Sequence, residues 1–197
     1  MDVRVYRAIG KRAVVAALVA LIAVVAAVTA VDLKARITVR ASEAGAGGVA
    51  GALKIGLQPG SYPPDFTLPS VSGETVSLSQ FRGEKPVLLN LWSFTCVPCR
   101  QELNELKALY PGYSDRVEIL SVHVSSWVPR SYVAELASDM DLPFTVLVDE
   151  ISAVATLYRV TAVPANYFIN RQGIIRNVII GGLDRERLKA EMDLLLE

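Results

Sequence analysis

Pro86-Val87-Leu88-Leu89-Asn90-Leu91-Trp92-Ser93-Phe94-Thr95-Cys96-Val97-Pro98-Cys99-Arg100 contains both cysteines of the 197-residue chain. Its first seven residues form an almost unbroken apolar run, which predicts a buried strand. Arg100 to Tyr110 carries helical periodicity. Two residues between the cysteines let the sulfurs meet across one turn at a helix start, so the pair can open and close a disulfide. Strand, Cys-X-X-Cys and helix in that order predict dithiol–disulfide chemistry. A structural zinc site wants four ligands. The chain offers two cysteines and one histidine, His123, so no metal site is expected.

Lys and Arg total 20, as do Asp and Glu, for a formal charge of zero. No basic run stands out beyond the N-terminus, so no nucleic-acid partner is expected. The hydrophobic fraction of 52% is inflated by one segment, Ala13 to Val31, which carries no charge. As a helix it would extend roughly 28 Å, about one hydrocarbon core. Arg4, Arg7, Lys11 and Arg12 precede it and favour a cytoplasmic N-terminus. The run exceeds the apolar region of a cleaved secretory signal, although Val28-Thr29-Ala30 offers a small-residue cleavage site. The expected organisation is therefore a cytoplasmic segment 1–12, a transmembrane signal anchor 13–31, a flexible Gly/Ala-rich linker 32–55 and a folded domain 56–197. Outside the cytoplasm a thiol pair tends to oxidise, so a partner must set its redox state.

Within the domain, an extended segment through Pro64-Asp65-Phe66-Thr67-Leu68, a turn at Ser72-Gly73 and Thr75-Val76-Ser77-Leu78 predict an N-terminal β-hairpin. Val117 to Val124 reads as a strand, Arg130 to Asp139 as a helix, Phe144 to Asp149 as a short strand, and 151–158 as a helix. Asn166 to Asn170 and Ile174 to Ile180 form a second hairpin around Arg171-Gln172-Gly173. Asp184 caps a last helix striped by Leu188, Met192, Leu195 and Leu196. Asp149 and Glu150 read as solvated loop residues and His123 as a structural residue. Strands alternating with helices and ending hairpin–helix predict an α/β sandwich around a mixed sheet.

The domain resembles the TlpA/ResA-like family of thioredoxin-fold, membrane-tethered thiol-disulfide oxidoreductases over roughly residues 56–195. The likeness rests on Pro64-Asp65-Phe66-Thr67-Leu68, on Gly73 followed by Val76-Ser77-Leu78-Ser79-Gln80-Phe81-Arg82-Gly83, on Leu89-Asn90-Leu91-Trp92 leading into Cys96-Val97-Pro98-Cys99-Arg100, on Glu102, and on Val163-Pro164-Ala165. It implies a thioredoxin-like sandwich with an N-terminal β-hairpin, held on the periplasmic or extracellular side of the cell membrane by a single transmembrane helix. It also implies protein disulfide substrates, apocytochrome c among them, and electrons from a membrane thiol transporter of the CcdA/DsbD kind. No cofactor is expected beyond the redox-active Cys96–Cys99 pair.

Cys96 is expected at the helix N-terminus, where unpaired N–H groups and the macrodipole favour a thiolate. It would attack the substrate disulfide, and Cys99, one turn in, would resolve the mixed disulfide. Pro98 suits the first helical turn. On a helical wheel with Cys99 at zero, Leu103, Leu106 and Tyr110 fall within about 40° and Glu102 near −60°, at roughly 100° per residue. Glu102 thus sits on the apolar edge, where desolvation would raise its pKa towards that of a proton carrier for the thiols. Thioredoxin itself keeps its buried acid in the preceding strand, and Asn90 stands there in this chain. The resemblance makes Val163-Pro164 a cis-proline loop beside the disulfide and puts Trp92 under the site. Thr95, Val97, Pro98, Val163, Pro164 and Trp92 would form the substrate-binding set, with Thr95 replacing the family's usual tryptophan.

Two other readings share this scaffold. A peroxiredoxin-like peroxidase would need proline seven residues before its reactive cysteine, where Leu89 stands. A copper-delivery module of the Sco type uses Cys-X-X-X-Cys, one residue longer than the spacing here.

Overall fold

The computed structural model describes residues 54–124 and 126–197, and Leu53–Glu197 forms one compact unit. The segments expected at 1–12 and 13–31, and all of the expected linker before residue 54, lie outside the described residues. Among the described residues no helix is long and apolar enough to cross a membrane.

The apolar run of the cysteine segment becomes the central strand of the larger of two sheets. A short antiparallel hairpin, β1 (Thr67–Pro69) and β2 (Thr75–Ser77), turns at Gly73 with φ of 95°. The five-stranded sheet contains β3 (Val87–Trp92), β4 (Glu118–His123), β5 (Thr145–Val148), β6 (Ala165–Ile169) and β7 (Ile175–Ile180), in the order β5-β4-β3-β6-β7. β3 runs parallel to β4, and β4 to β5, while β6 and β7 are antiparallel. β3 is the central strand and every one of its residues is buried. That position explains its continuous apolar sequence, since both of its faces are covered.

On one face pack α1 (Val97–Leu109), α2 (Arg130–Asp139) and α4 (Arg185–Leu194). Leu88, Trp92 and Phe168 from the sheet meet Leu103, Leu106, Val133, Leu188 and Met192 there. On the other face lie the hairpin and the short α3 (Ala153–Leu157), with Leu89, Leu91, Leu120 and Val122 against Phe66, Val76, Val154 and Tyr158. The expected mixed-sheet sandwich is therefore present. Asp184 caps α4 by accepting from the Arg187 amide at 2.8 Å.

One expectation is corrected. Asp149 is fully buried rather than solvated, and its Oδ2 accepts from the Ala155 amide at 2.8 Å. It directly follows β5 and ties the next helix to the sheet, since a polar group buried at a strand–loop junction needs such a bond. His123 is also buried, in β4 and inside the sheet.

Candidate active site

β3 ends at Trp92, and the chain turns within Ser93 to Thr95 to start α1. Cys96 is the N-cap residue, with extended backbone (φ −87°, ψ 107°), and its sulfur accepts from the Cys99 amide at 3.2 Å. A helix N-cap normally offers a side-chain oxygen to an otherwise unpaired N–H. Here a sulfur takes that place, so a thiolate at Cys96 would gain both the bond and the dipole of the helix. Pro98 lies in the first turn, where its missing N–H costs nothing.

Cys96 and Cys99 are joined in a disulfide. Their exposure differs: Cys96 is half-buried, whereas Cys99 is 1% exposed. Only the first sulfur can meet a macromolecule. The Val163–Pro164 bond is cis, and the Val163 carbonyl oxygen lies 3.5 Å from the Cys96 sulfur, within reach of a thiol proton.

Glu102 is one turn beyond Cys99 on the same helix face. It is 1% exposed. Its Oε1 accepts from Asn90 Nδ2 at 2.7 Å and from Asn166 Nδ2 at 3.0 Å. Its Oε2 accepts from the Leu183 amide at 2.7 Å and from Asn166 Nδ2 at 3.1 Å. Asn90 also donates to Asn166 Oδ1 at 2.9 Å and accepts from Ser121 Oγ at 3.3 Å. Burial is the larger influence and raises the carboxyl pKa to about 7, against the hydrogen bonds from Asn166, Leu183 and Asn90, which favour the charged form. A carboxyl poised near neutrality one turn from a buried sulfur can give or take the proton that thiol exchange moves.

The structure thus brings together Cys96, Cys99, Pro98 and Val163-Pro164, with Glu102 behind Cys99. Thr95, Val97 and Pro98 face solvent, and Pro164 is buried. Trp92 is 1% exposed and meets His123 edge-on, with ring centroids 4.9 Å apart. It lies under the site, out of reach of a docked substrate, which corrects its placement on the contact surface. Sequence reasoning missed the closing of Asn166 and Leu183 onto Glu102. A signal existed for the first: Asn90 and Asn166 are amides in strands too apolar to leave them unpartnered. His123 has a structural place in the turn: Nε2 accepts from the Phe94 amide at 3.4 Å and its ring stacks on Phe94. Burial lowers its pKa to about 4, so it stays a neutral acceptor. Among the described residues no cluster of three or more His, Cys, Asp or Glu side chains could hold a metal ion.

A thioredoxin-like sheet with a Cys-X-X-Cys disulfide at the start of its main helix defines a thiol-disulfide oxidoreductase. The chain belongs to the AhpC/TSA family, whose sequence pattern matches residues 59–178. It is 32% identical over 142 residues to the thioredoxin-like protein YneN of Bacillus subtilis, covering 72% of this chain and 82% of the relative. Against the thiol-disulfide oxidoreductase ResA of Geobacillus kaustophilus the identity is 33% over 141 residues, covering 71% and 79%. A putative thiol:disulfide interchange protein DsbE from Chlorobium tepidum has the same fold, with a TM-score of 0.66 and 26% identity over 72% of this chain and all of that one.

Proposed function

We propose that the protein reduces disulfides in exported proteins, from an extracytoplasmic position at the cell membrane. The observation that carries this reading is the division of one disulfide between a half-exposed Cys96 and a buried Cys99 at a helix N-terminus. In the reduced protein, the Cys96 thiolate attacks one sulfur of the substrate disulfide, and the other leaves as a thiolate that takes up a proton. Cys99 gives up its proton, with Glu102 as acceptor, and attacks Cys96 in the mixed disulfide. The second substrate thiol leaves, and the Cys96–Cys99 disulfide forms. Two electrons and two protons pass to the substrate, with no cofactor beyond the pair.

Resetting the cycle needs a dithiol donor. A membrane thiol transporter of the CcdA/DsbD kind fits, given an anchor at 13–31, a linker at 32–55 and the domain outside. Val-Pro between the cysteines resembles the reducing members of the family more than the Pro-His of strongly oxidising ones. Apocytochrome c before haem attachment is the candidate substrate. Thr95, Val97, Pro98 and Val163 would contact it.

The decisive experiment equilibrates the purified protein with dithiothreitol or glutathione buffers and reads the potential of the Cys96–Cys99 couple. A value of about −250 mV or lower supports a reductase, and one near about −120 mV makes the protein an oxidant instead. Rapid thiol-dependent consumption of hydrogen peroxide would favour the peroxidase reading. Leu89, fully buried in β3, stands against that outcome.

A further inference from the structure

The parallel strands β3, β4 and β5 all end at the sheet edge that carries the disulfide. Three loops therefore leave side by side, and their described parts are 93–96, 126–129 and 149–152. Large apolar side chains stay in water along this edge: Val97 is 63% exposed, Trp127 97% and Ile151 83%. The loops are tied to one another. Ser126 and Ser152 hydrogen-bond through their hydroxyls, one residue from Trp127 and Ile151 respectively. Tyr132, in the first turn of α2, meets Phe94 edge-on at 5.6 Å, two residues before Cys96.

Trp127 is the most unusual of these residues. Its backbone is left-handed, with φ of 72°, a conformation that only glycine adopts without cost. The largest side chain type in the protein is thus held almost wholly in solvent on strained backbone, where packing gives it no return. Large apolar side chains exposed at the same sheet end as a reactive group point to a contact site, and strain of this kind gathers at such sites. Thr95, meanwhile, puts no flat aromatic beside Cys96.

We propose that Trp127 and Ile151 form an apolar shelf, continuous with the exchange site, for the polypeptide flanking the substrate's disulfide. The proposal rests on the disulfide-exchange reading above and adds a substrate class to it. The preferred partner is an extended, non-native segment with large apolar side chains near its cysteine. Two strand spacings separate the end of β3 from the end of β5, about 10 Å, which roughly three residues of extended chain would span. A folded partner would keep such side chains inside, so the shelf selects for chains that have not yet folded.

The test uses the full-length protein and two disulfide-linked peptides. They differ only three residues from the cysteine, where one has Phe and the other Ser. The wild-type protein, reduced beforehand with dithiothreitol that is then removed, should reduce the Phe peptide in a single turnover with a second-order rate constant about tenfold higher, the size of effect a buried aromatic anchor gives. Trp127→Ala and Ile151→Ser should bring the ratio close to one, and Trp127→Phe should keep most of it. A general loss of folding would lower both rates and leave the ratio standing. Equal rates in the wild type, or a ratio that survives Trp127→Ala, overturns the shelf. So does a concentration-dependent dimer that Trp127→Ala dissolves, because the shelf would then be covered by a second copy. Reduction of oxidised glutathione by the wild type, run alongside, tests the exchange reading separately: if it fails, both readings fall.

Discussion

Asn90 Nδ2 donates to Glu102 Oε1 at 2.7 Å, joining the central strand to the helix that carries both cysteines. The amide takes the place where thioredoxin keeps its acid, and the acid has moved one element onwards. Strand and helix therefore share one buried polar unit. Its protonation state belongs to the helix, and its donors come from the sheet.

Glu102→Gln separates the charge from the shape. The folded pKa of about 7 lies above the ordinary 4.5, so the folded protein binds this proton more tightly than the unfolded chain. The stability linked to it is fully present below about pH 4.5 and is lost as pH rises through about 7, by up to roughly 3 kcal/mol. Urea denaturation of the oxidised protein between pH 5 and 8 should show this decline, and the Gln variant should lack it. The rate of disulfide exchange should lose its inflection near neutrality in the same variant. A persistent inflection would assign the proton to another group.

Cys99→Ser should trap a mixed disulfide with substrate, because Cys96 remains exposed and nothing resolves it. Cys96→Ser should trap almost none, since Cys99 is 1% exposed. Non-reducing gels of the two variants with a disulfide peptide decide the order of attack. Equal trapping by both would remove the assigned roles.

Asn90→Ala removes one donor from Glu102 and leaves Ser121 without the acceptor it now has. The cost should be about 1–3 kcal/mol, the penalty for stranding buried polar groups. Because the lost bond favours the charged carboxylate, the exchange inflection should move upwards from neutrality. A downward move would show that the Asn90 bond is not what holds the charged form of Glu102.

Gly182 lies against the start of α1: a Cβ there would sit 3.2 Å from Pro98 Cβ. Gly182→Val should therefore cost about 1–3 kcal/mol through overpacking. It should also disturb the adjacent Leu183 amide, which holds Glu102 at 2.7 Å. Thermal unfolding reads the first effect and the pH dependence of exchange the second. A variant with unchanged melting and unchanged exchange would show that the contact yields freely.

Much of this arrangement was legible along the chain because it is local. The apolar run of β3, the two cysteines and the helical wheel that put Glu102 on the buried edge all lie within one strand–turn–helix unit. The hairpins showed through Gly73 and Gly173, and the last helix through Asp184. What stayed hidden was long-range. Asn166 and Leu183 meet Glu102 across separations of 64 and 81 residues, and no periodicity encodes such meetings. Asp149 looked like a loop charge because its partner, the Ala155 amide, is a backbone group that sequence does not mark. Trp127 left no trace for another reason: it stands between Ser126 and Val128 in a loop with no periodic pattern, and the loop holds it in water.

The carboxylate clamp also has an order in time. Synthesis runs from the N-terminus, so Cys96, Cys99 and Glu102 emerge well before Leu183, which lies 81 residues after Glu102. Until β6 and β7 dock, the dithiol exists without the enclosure that tunes its acid, and Cys96 has no Val163 carbonyl beside it. A half-made chain is a pair of ordinary thiols. The stretch from Ala165 to Leu183 completes the enclosure, so the dithiol gains its tuned acid only after that stretch has left the ribosome and docked.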